Sequence, residues 1–334
     1  MKIQYRIDLL DELGRYILSE NPAWLETLDS AGRENGWFIP EFVKKAADEA
    51  AKAFLKRDLL ETWLSAYPLQ EYAPGKTPLT GIVMAGNIPM VGFHDLLCGF
   101  AAGHQLMLKP SSKDNVLIRH LVEKLTEMEP ACGEQIRFSE MLKGCDRYIA
   151  TGSNNSSRYF DYYFRKYPHI IRRNRTSVAI LDGNETNAEL DQLADDVHLY
   201  FGMGCRNVTK LYVPEGYDFV PLLETFRKYS YFSDHHKFRN NYDYNLALHV
   251  LNKKFYMTNG TVLLSEEASL FSPISQLNYS FYRELEEVTA SLRDRDDLQC
   301  VVGRHWIPFG QAQAPSLTDY ADGVDTMAFL TGNK

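Results

Sequence analysis

Five cysteines, Cys98, Cys132, Cys145, Cys205 and Cys300, are scattered through the chain, and one stands apart by its neighbours. Cys205 lies in Gly202-Met203-Gly204-Cys205-Arg206-Asn207, where glycines let the backbone approach a ligand and an arginine favours the thiolate. A thiol so placed is a candidate nucleophile; the other reading, open for all five, is a small buried hydrophobe. No CxxC pair and no Cys/His spacing of a zinc site occurs, so neither a disulfide framework nor a metal is expected. His198, His235 and His236 have no spacing that makes a dyad with Cys205, and each reads as a solvated surface histidine. Small polar residues also follow three apolar runs: Gly86-Asn87, Lys109-Pro110-Ser111-Ser112 and Thr151-Gly152-Ser153. The last leads into a helix, and it reads as well as a phosphate site at a helix N-terminus as it does an ordinary strand–helix turn. The GxGxxG fingerprint is absent, so any dinucleotide is held in another way.

A frame is needed that gathers strand ends. Residues 79–85, 105–109, 147–150, 178–182 and 209–214 read as strands, separated by helices over 93–102, 115–128, a Tyr/Phe-rich stretch after 156, and 188–201. This alternation is the βαβ pattern of a parallel sheet, so the class is α/β, with ligands at the carboxyl ends of the strands. Residues 1–70 read as amphipathic helices, 72–78 as a turn-rich break, and the tail from His305 as strand-like pieces and turns. The 334 residues, 45% of them hydrophobic, suffice for two domains, and a net charge of −8 argues against a nucleic-acid-binding face. The opening MKIQYRIDLLDELGRYIL is charged throughout and reads as a helix rather than a signal peptide; no stretch reads as a membrane span, so the cytoplasm is expected.

Asn87, Lys109, Thr151-Gly152-Ser153, Gly202-x-Gly-Cys205 and Pro308-Phe309-Gly310, in order and approximate spacing, resemble the aldehyde dehydrogenase superfamily. Gly86-Asn87-Ile88-Pro89, Gly-Met-Gly-Cys205-Arg-Asn-Val-Thr and Ile307-Pro-Phe-Gly-Gln-Ala-Gln are similar to its acyl-CoA reductase branch, the LuxC-like fatty-acyl reductases. The resemblance implies a Rossmann-like nucleotide-binding domain with N-terminal helices over 1–175 and an α/β catalytic domain carrying the nucleophile over 176–310. A tail over 311–334 then returns to the nucleotide-binding domain or makes a subunit contact in a homo-oligomer. The implied activity is reduction of an acyl-CoA or acyl-carrier thioester to an aldehyde. On this pattern Cys205 takes the acyl group, and the Asn87 amide with the Cys205 N–H stabilises the oxyanion. Lys109 would contact the cofactor's adenosine ribose, Gly152 and Ser153 the pyrophosphate, and Thr151 the nicotinamide pocket, with Phe309 near the catalytic loop. The alternatives are a CoA-acylating aldehyde dehydrogenase and a non-reducing acyl-transfer or binding member of the same fold.

Departures from the family pattern narrow this. Aldehyde-oxidising members carry a glutamate that activates water, and Ile171 stands at its position. Without a base, hydrolysis slows by about 10²–10⁴-fold, leaving the acyl group for hydride or thiol. NAD-preferring members place a glutamate where Ser112, followed by Lys113, stands here, a pair that suits the 2′-phosphate of NADPH; NADH is the alternative. Ser269, in Ser269-Leu-Phe271-Ser-Pro273, replaces a glutamate that grips the nicotinamide ribose. The run Arg165, Lys166, Arg172, Arg173, Arg175 reads as a site for CoA phosphates, with Arg173 and Arg175 as candidate substrate ligands, or as a solvated face. The aromatic stretches 159–164 and 228–232 line an acyl tunnel or belong to the core.

Overall fold

The computed structural model describes residues 1–73 and 75–332; Pro74, in the turn-rich break, and the last two residues of the tail lie outside them. The chain divides into two compact units, one of Met1–Asn174 with Pro315–Lys334 and one of Arg175–Ala314.

The first unit opens with α1 (Ile3–Ile17), α2 (Pro22–Glu34), α3 (Pro40–Phe54) and α4 (Arg57–Ser65). Their apolar positions recur at helical spacing, so Leu9, Leu10, Leu13 and Ile17 are buried along one side of α1. Each such side chain contributes about 1.5–3 kcal/mol on burial. Asn21 starts α2 by accepting the Ala23 N–H at 3.0 Å, with Pro22 in the first turn.

The sheet follows as β1 (Leu79–Val83), α5 (Phe93–Ala101), β2 (Gln105–Lys109), α6 (Val116–Met128), α7 (Ala131–Gln135), β3 (Ile136–Phe138), β4 (Arg147–Thr151), α8 (Asn154–Phe164) and β5 (His169–Arg172). Its order is β3-β2-β1-β4-β5, and every described pairing is parallel. The order reverses between β1 and β4, so the loops after these strands run to opposite faces and leave a crevice at their carboxyl ends. Gly86-Asn87 follows β1 and Gly152-Ser153 follows β4, so both flank that switch point.

The second unit contains β6 (Thr176–Ile180), α9 (Asn187–His198), β7 (Val208–Pro214), α10 (Val220–Thr225), α11 (His236–Leu251), β8 (Met257–Thr258), β9 (Leu263–Glu266), β10 (Gln276–Tyr282), α12 (Leu285–Leu292) and β11 (Leu298–Val302). Its sheet runs β11-β6-β7-β10-β9-β8, parallel except for the β8–β9 pair. A capping box of Thr186 and Glu189 starts α9. The expected helix over 188–201 stops early, at His198, because Tyr200, Phe201 and Gly202 take left-handed backbone with φ of 55°, 57° and 72°.

The chain then returns to the first unit. The tail holds a helix, α13 (Thr326–Thr331), where turns and strand pieces were expected. Arg147 donates to the carbonyls of Phe329 and Leu330 at 3.0 and 2.7 Å, covering the end of that helix. Arg172 is buried and donates to Asp95 at 2.6 Å, to Thr326 at 2.8 Å and to the Ala321 carbonyl. It serves the docking of the tail, so the reading of Arg172 as part of a phosphate-receiving run is corrected.

Candidate active site

Burial separates the five thiols. Cys98, Cys132 and Cys145 are buried, and desolvation pushes the Cys98 thiol well up and the other two up to about 11. Thiols held neutral in this way are poor nucleophiles. Cys205 and Cys300 are half-buried.

The loop carrying Cys205 is held from behind. The buried Asn207 accepts the Gly204 N–H at 2.8 Å, and its amide nitrogen donates to the carbonyls of Asp196, Val197 and Leu199 at 3.1, 3.3 and 2.9 Å. Those carbonyls belong to the frayed end of α9, where helix groups lack internal partners. Ser177 on β6 donates to the Cys205 carbonyl at 3.0 Å and lies 3.0 Å from the Cys300 sulfur on β11. Left-handed backbone at Tyr200 and Phe201 costs roughly 1–2 kcal/mol per residue. Burial of Phe201 offsets it, with ring centroids 4.5 Å from Phe232 and 4.5 Å from His235.

His198 departs from its expected solvated setting. It is buried, donates from Nδ1 to the Ala194 carbonyl at 2.9 Å, and stacks on Tyr229 at 4.8 Å. Burial lowers its pKa to about 4, so it is a neutral core side chain. His235 caps α11 and His236 is exposed. Of the aromatic stretch 228–232, Tyr229 and Phe232 are core; in 159–164, Tyr159, Tyr162 and Tyr163 are each about two-thirds exposed.

The loop after β11 bears Pro308-Phe309-Gly310. Phe309 is buried, and the carboxylate of the buried Asp196 accepts the N–H groups of Gly310 and Ala312 at 2.6 and 3.0 Å. Burial pushes the Asp196 carboxyl up to about 7 against these two donors.

In the first unit the strand-end residues are open. Asn87, Ser112, Lys113 and Ser153 are exposed, and Thr151 and Gly152 half-buried. Lys109 donates to the Glu140 carbonyl at 2.8 Å. Gly86 is required by packing, since a Cβ there would meet Ser111 at 2.7 Å. Ser153 caps α8, accepting the Ser156 N–H at 3.3 Å. A Cβ at Gly152 would meet the Phe160 ring at 2.9 Å and Ser156 at 3.0 Å, so the turn packs closely against α8.

The sequence profile of the family described as acyl-CoA reductase (LuxC) matches residues 45–221, just over half the chain. The chain belongs to the LuxC acyl-CoA reductase family. It is an oxidoreductase of the aldehyde-related class. Its fold is that of the aldehyde dehydrogenases. Aldehyde dehydrogenase 21 from Physcomitrella patens, solved with its reaction product succinate, aligns with TM-score 0.68 and 12% identity, covering 91% of this chain and 74% of that one. An aldehyde dehydrogenase from Mycobacterium tuberculosis complexed with NAD+ gives 0.63 and 14%, covering 88% and 71%. Aldehyde dehydrogenase C of Pseudomonas syringae, a cysteine-to-alanine mutant with NAD+ and octanal, gives 0.65 and 12%, covering 90% and 72%. No curated protein sequence matches.

Within this LuxC-family chain, the second unit gathers Cys205, Asn207, Ser177, Asp196 and Phe309, and the first gathers Asn87, Lys109, Ser112, Lys113 and the Thr151–Ser153 turn. Arg173 lies in the first unit, exposed and paired with Asp161 at 3.0 Å; Arg175 lies in the second and donates to the Leu298 carbonyl at 3.1 Å. Sequence reasoning assigns no role to Asn207, Ser177 or Asp196. Asn207 stands in the cysteine motif itself, and an amide beside a glycine-rich loop is the available signal. Ile171 sits on β5, and the acids nearest it in sequence are engaged elsewhere, Asp161 with Arg173 and Asp182 with Arg304 at 2.9 Å.

Proposed function

We propose that this chain reduces an acyl-CoA or acyl-carrier thioester to an aldehyde, with Cys205 as acyl acceptor and NADPH, or alternatively NADH, as reductant. The observation that carries this is the Cys205 loop, a half-buried thiol fixed by Asn207 and Ser177 behind a left-handed turn. Strain at such a turn persists only where surrounding structure imposes it, and it clusters at functional sites.

The Cys205 sulfur attacks the thioester carbonyl. Its new C–S bond forms as the bond to the leaving thiol breaks, and the Cys205 proton ends on that thiol. On the family pattern the Asn87 amide, with the Cys205 N–H, would stabilise the oxygen as negative charge develops, a contribution of about 3 kcal/mol for a well-placed donor. The first unit fits a dinucleotide: its strand order has the required switch point, Gly152 and Ser153 open onto α8, and Lys113 lies exposed beside Ser112. Thr151, Gly152 and Ser153 would hold the pyrophosphate and nicotinamide side, and Lys109, Ser112 and Lys113 the adenosine ribose and its 2′-phosphate. When bound, the reduced nicotinamide supplies hydride to the acyl carbon. The C–S bond to Cys205 then breaks as the aldehyde leaves, and the Cys205 thiolate takes up a proton from water. Ile171 offers water no base, which favours reduction over hydrolysis. Arg173 and Arg175 are proposed to receive the phosphates of CoA.

Incubation with acyl-CoA esters from short to long chain, without cofactor, followed by peptide mass mapping, is expected to show an acyl adduct on Cys205. No adduct at any chain length overturns the proposal. NADP reduction that depends on added CoA and aldehyde would reveal the reverse, acylating direction. A non-reducing acyl-transfer role has one observation in its favour: the Ser269 hydroxyl is turned onto its own chain, donating to the Phe271 carbonyl at 2.9 Å. Failure of both NADPH and NADH to bind in calorimetry would decide for that role.

A further inference from the structure

We propose that Asp196 is a positioning residue for Cys205, joining the 308–312 loop to the loop that carries the thiol. Asp196 lies in the last turn of α9 and is fully buried. An anion there faces the negative end of the helix dipole and has lost its water, so helix formation alone disfavours it. What holds it is the pair of N–H donors from Gly310 and Ala312, two residues apart, so that the loop wraps around the carboxylate. Gly310 adopts a φ of 77°, and a Cβ there would meet Gln192 of α9 at 3.0 Å, so the loop lies close against that helix.

The other side of Asp196 faces the thiol loop. Its carbonyl accepts from Asn207, whose side-chain oxygen in turn accepts the Gly204 N–H, one residue before Cys205. The connection from Ala312 to Cys205 therefore runs through one carboxylate and one amide. The neighbouring Asp195 takes no part, being engaged by the Tyr229 hydroxyl at 2.7 Å and by Lys228. With the carboxylate removed, the loop loses its anchor and the end of α9 is free to shift, moving the Cys205 backbone. A displacement of this kind, on the order of 1 Å, is enough to slow an aligned attack by about 100-fold.

This role rests on Cys205 being the acyl acceptor, and the test keeps the two separable. Asp196→Ala and Asp196→Asn are compared with the unaltered protein for rate of Cys205 acylation by acyl-CoA, pH midpoint of Cys205 alkylation by iodoacetamide, and thermal unfolding. Asp196→Ala is expected to slow acylation about 10- to 100-fold with acyl-CoA KM little changed, and to shift the alkylation midpoint. Asp196→Asn, which can accept only one of the two N–H groups, should fall between. Lowered unfolding temperature with acylation and alkylation unchanged would show a merely structural residue and overturn the proposal. If Asp196→Ala does not fold, an unshifted alkylation profile in Asp196→Asn overturns it equally. A shifted profile in a protein whose unaltered form takes up no acyl group leaves the positioning role standing and removes the reductase reading.

Discussion

Asp114 in the first unit and Asp196 in the second are both buried beside a loop, and burial pushes both carboxyls up to about 7. Asp196 has a backbone N–H on each oxygen. Asp114 accepts one, from Met90 at 2.7 Å, and its Oδ1 has no partner among the described residues. The contrast extends outward. The Cys205 loop is bound by Asn207 and Ser177, whereas Ser112, Lys113 and Ser153 stand exposed at strand ends. A nucleophile gains from a fixed position, because misalignment slows its attack steeply. Loops that admit and release a ligand belong instead to the less restrained parts of a fold.

The sharpest way to break this division of labour is Cys205→Ala. Acyl adduct formation is expected to vanish and turnover to fall by about 10³–10⁶-fold, the range seen when a nucleophile is removed. NADPH binding measured by calorimetry should stay as it was, since the first unit is untouched. An adduct surviving in this variant would place the chemistry on another group.

The reciprocal change, Lys113→Glu, tests the open side. It is expected to raise KM for NADPH about 10- to 100-fold through repulsion of a 2′-phosphate, with little effect on NADH or on Cys205 acylation. An unchanged ratio of the two cofactors would remove Ser112 and Lys113 from the cofactor site.

Legibility in the sequence follows the same line. Three strands of the first unit, β1, β2 and β4, lie in apolar runs that give way to polar residues at Gly86-Asn87, Lys109 and Thr151, so both their existence and their polar ends could be read. β3, β5 and β11 are short or irregularly paired and carry little pattern. The end of α9 is hidden because Leu199-Tyr200-Phe201 continues an apolar helical run, and side-chain pattern does not register left-handed backbone. His198 does carry a readable signal: it follows Ala194 by one helical turn, on the side of α9 that buries Leu190, Leu193 and Val197. The links from Asp196 to Gly310 and Ala312 go to backbone N–H groups across 114 and 116 residues, and no local spacing encodes them.

Each unit also buries a histidine, His104 in the first and His198 in the second, and burial lowers both to about 4. The unfolded chain takes up a proton on each as pH falls below about 6.5, while the fold does not until about 4. Stability is therefore lost across that window, by about 3 kcal/mol per group. His198→Phe should remove its share of the acid loss, because only Nδ1 is bonded and Nε2 is unpartnered. His104→Phe should destabilise at all pH, because it abandons Thr80 at 2.8 Å and Tyr72 at 3.3 Å. Urea midpoints at pH 7 and pH 4.5 check both, and equal acid losses in His198→Phe and the unaltered protein would refute the assignment.

The smallest effect is the most discriminating. Both aspartates have folded pKa values near 7, above the ordinary 3.8, so the fold binds their protons more tightly than the unfolded chain does. Their stabilising share is full below about pH 4 and is lost as pH rises through 7. At pH 8 a neutral side chain removes that loss, but only where it can be accommodated. Asp114→Asn can keep the Met90 bond on its oxygen and turn its NH₂ toward the unpartnered position of Oδ1. Its stability at pH 8 should lie within about 1 kcal/mol of the unaltered protein, and its pH dependence should flatten. Asp196→Asn must set an NH₂ against the N–H of either Gly310 or Ala312, leaving a buried donor facing a donor. It should lose about 1–3 kcal/mol at pH 8 despite shedding the charge. Equal urea midpoints for the two variants would mean that the carboxyls are held alike, and the contrast between an open first unit and a locked second would fail at its most direct point.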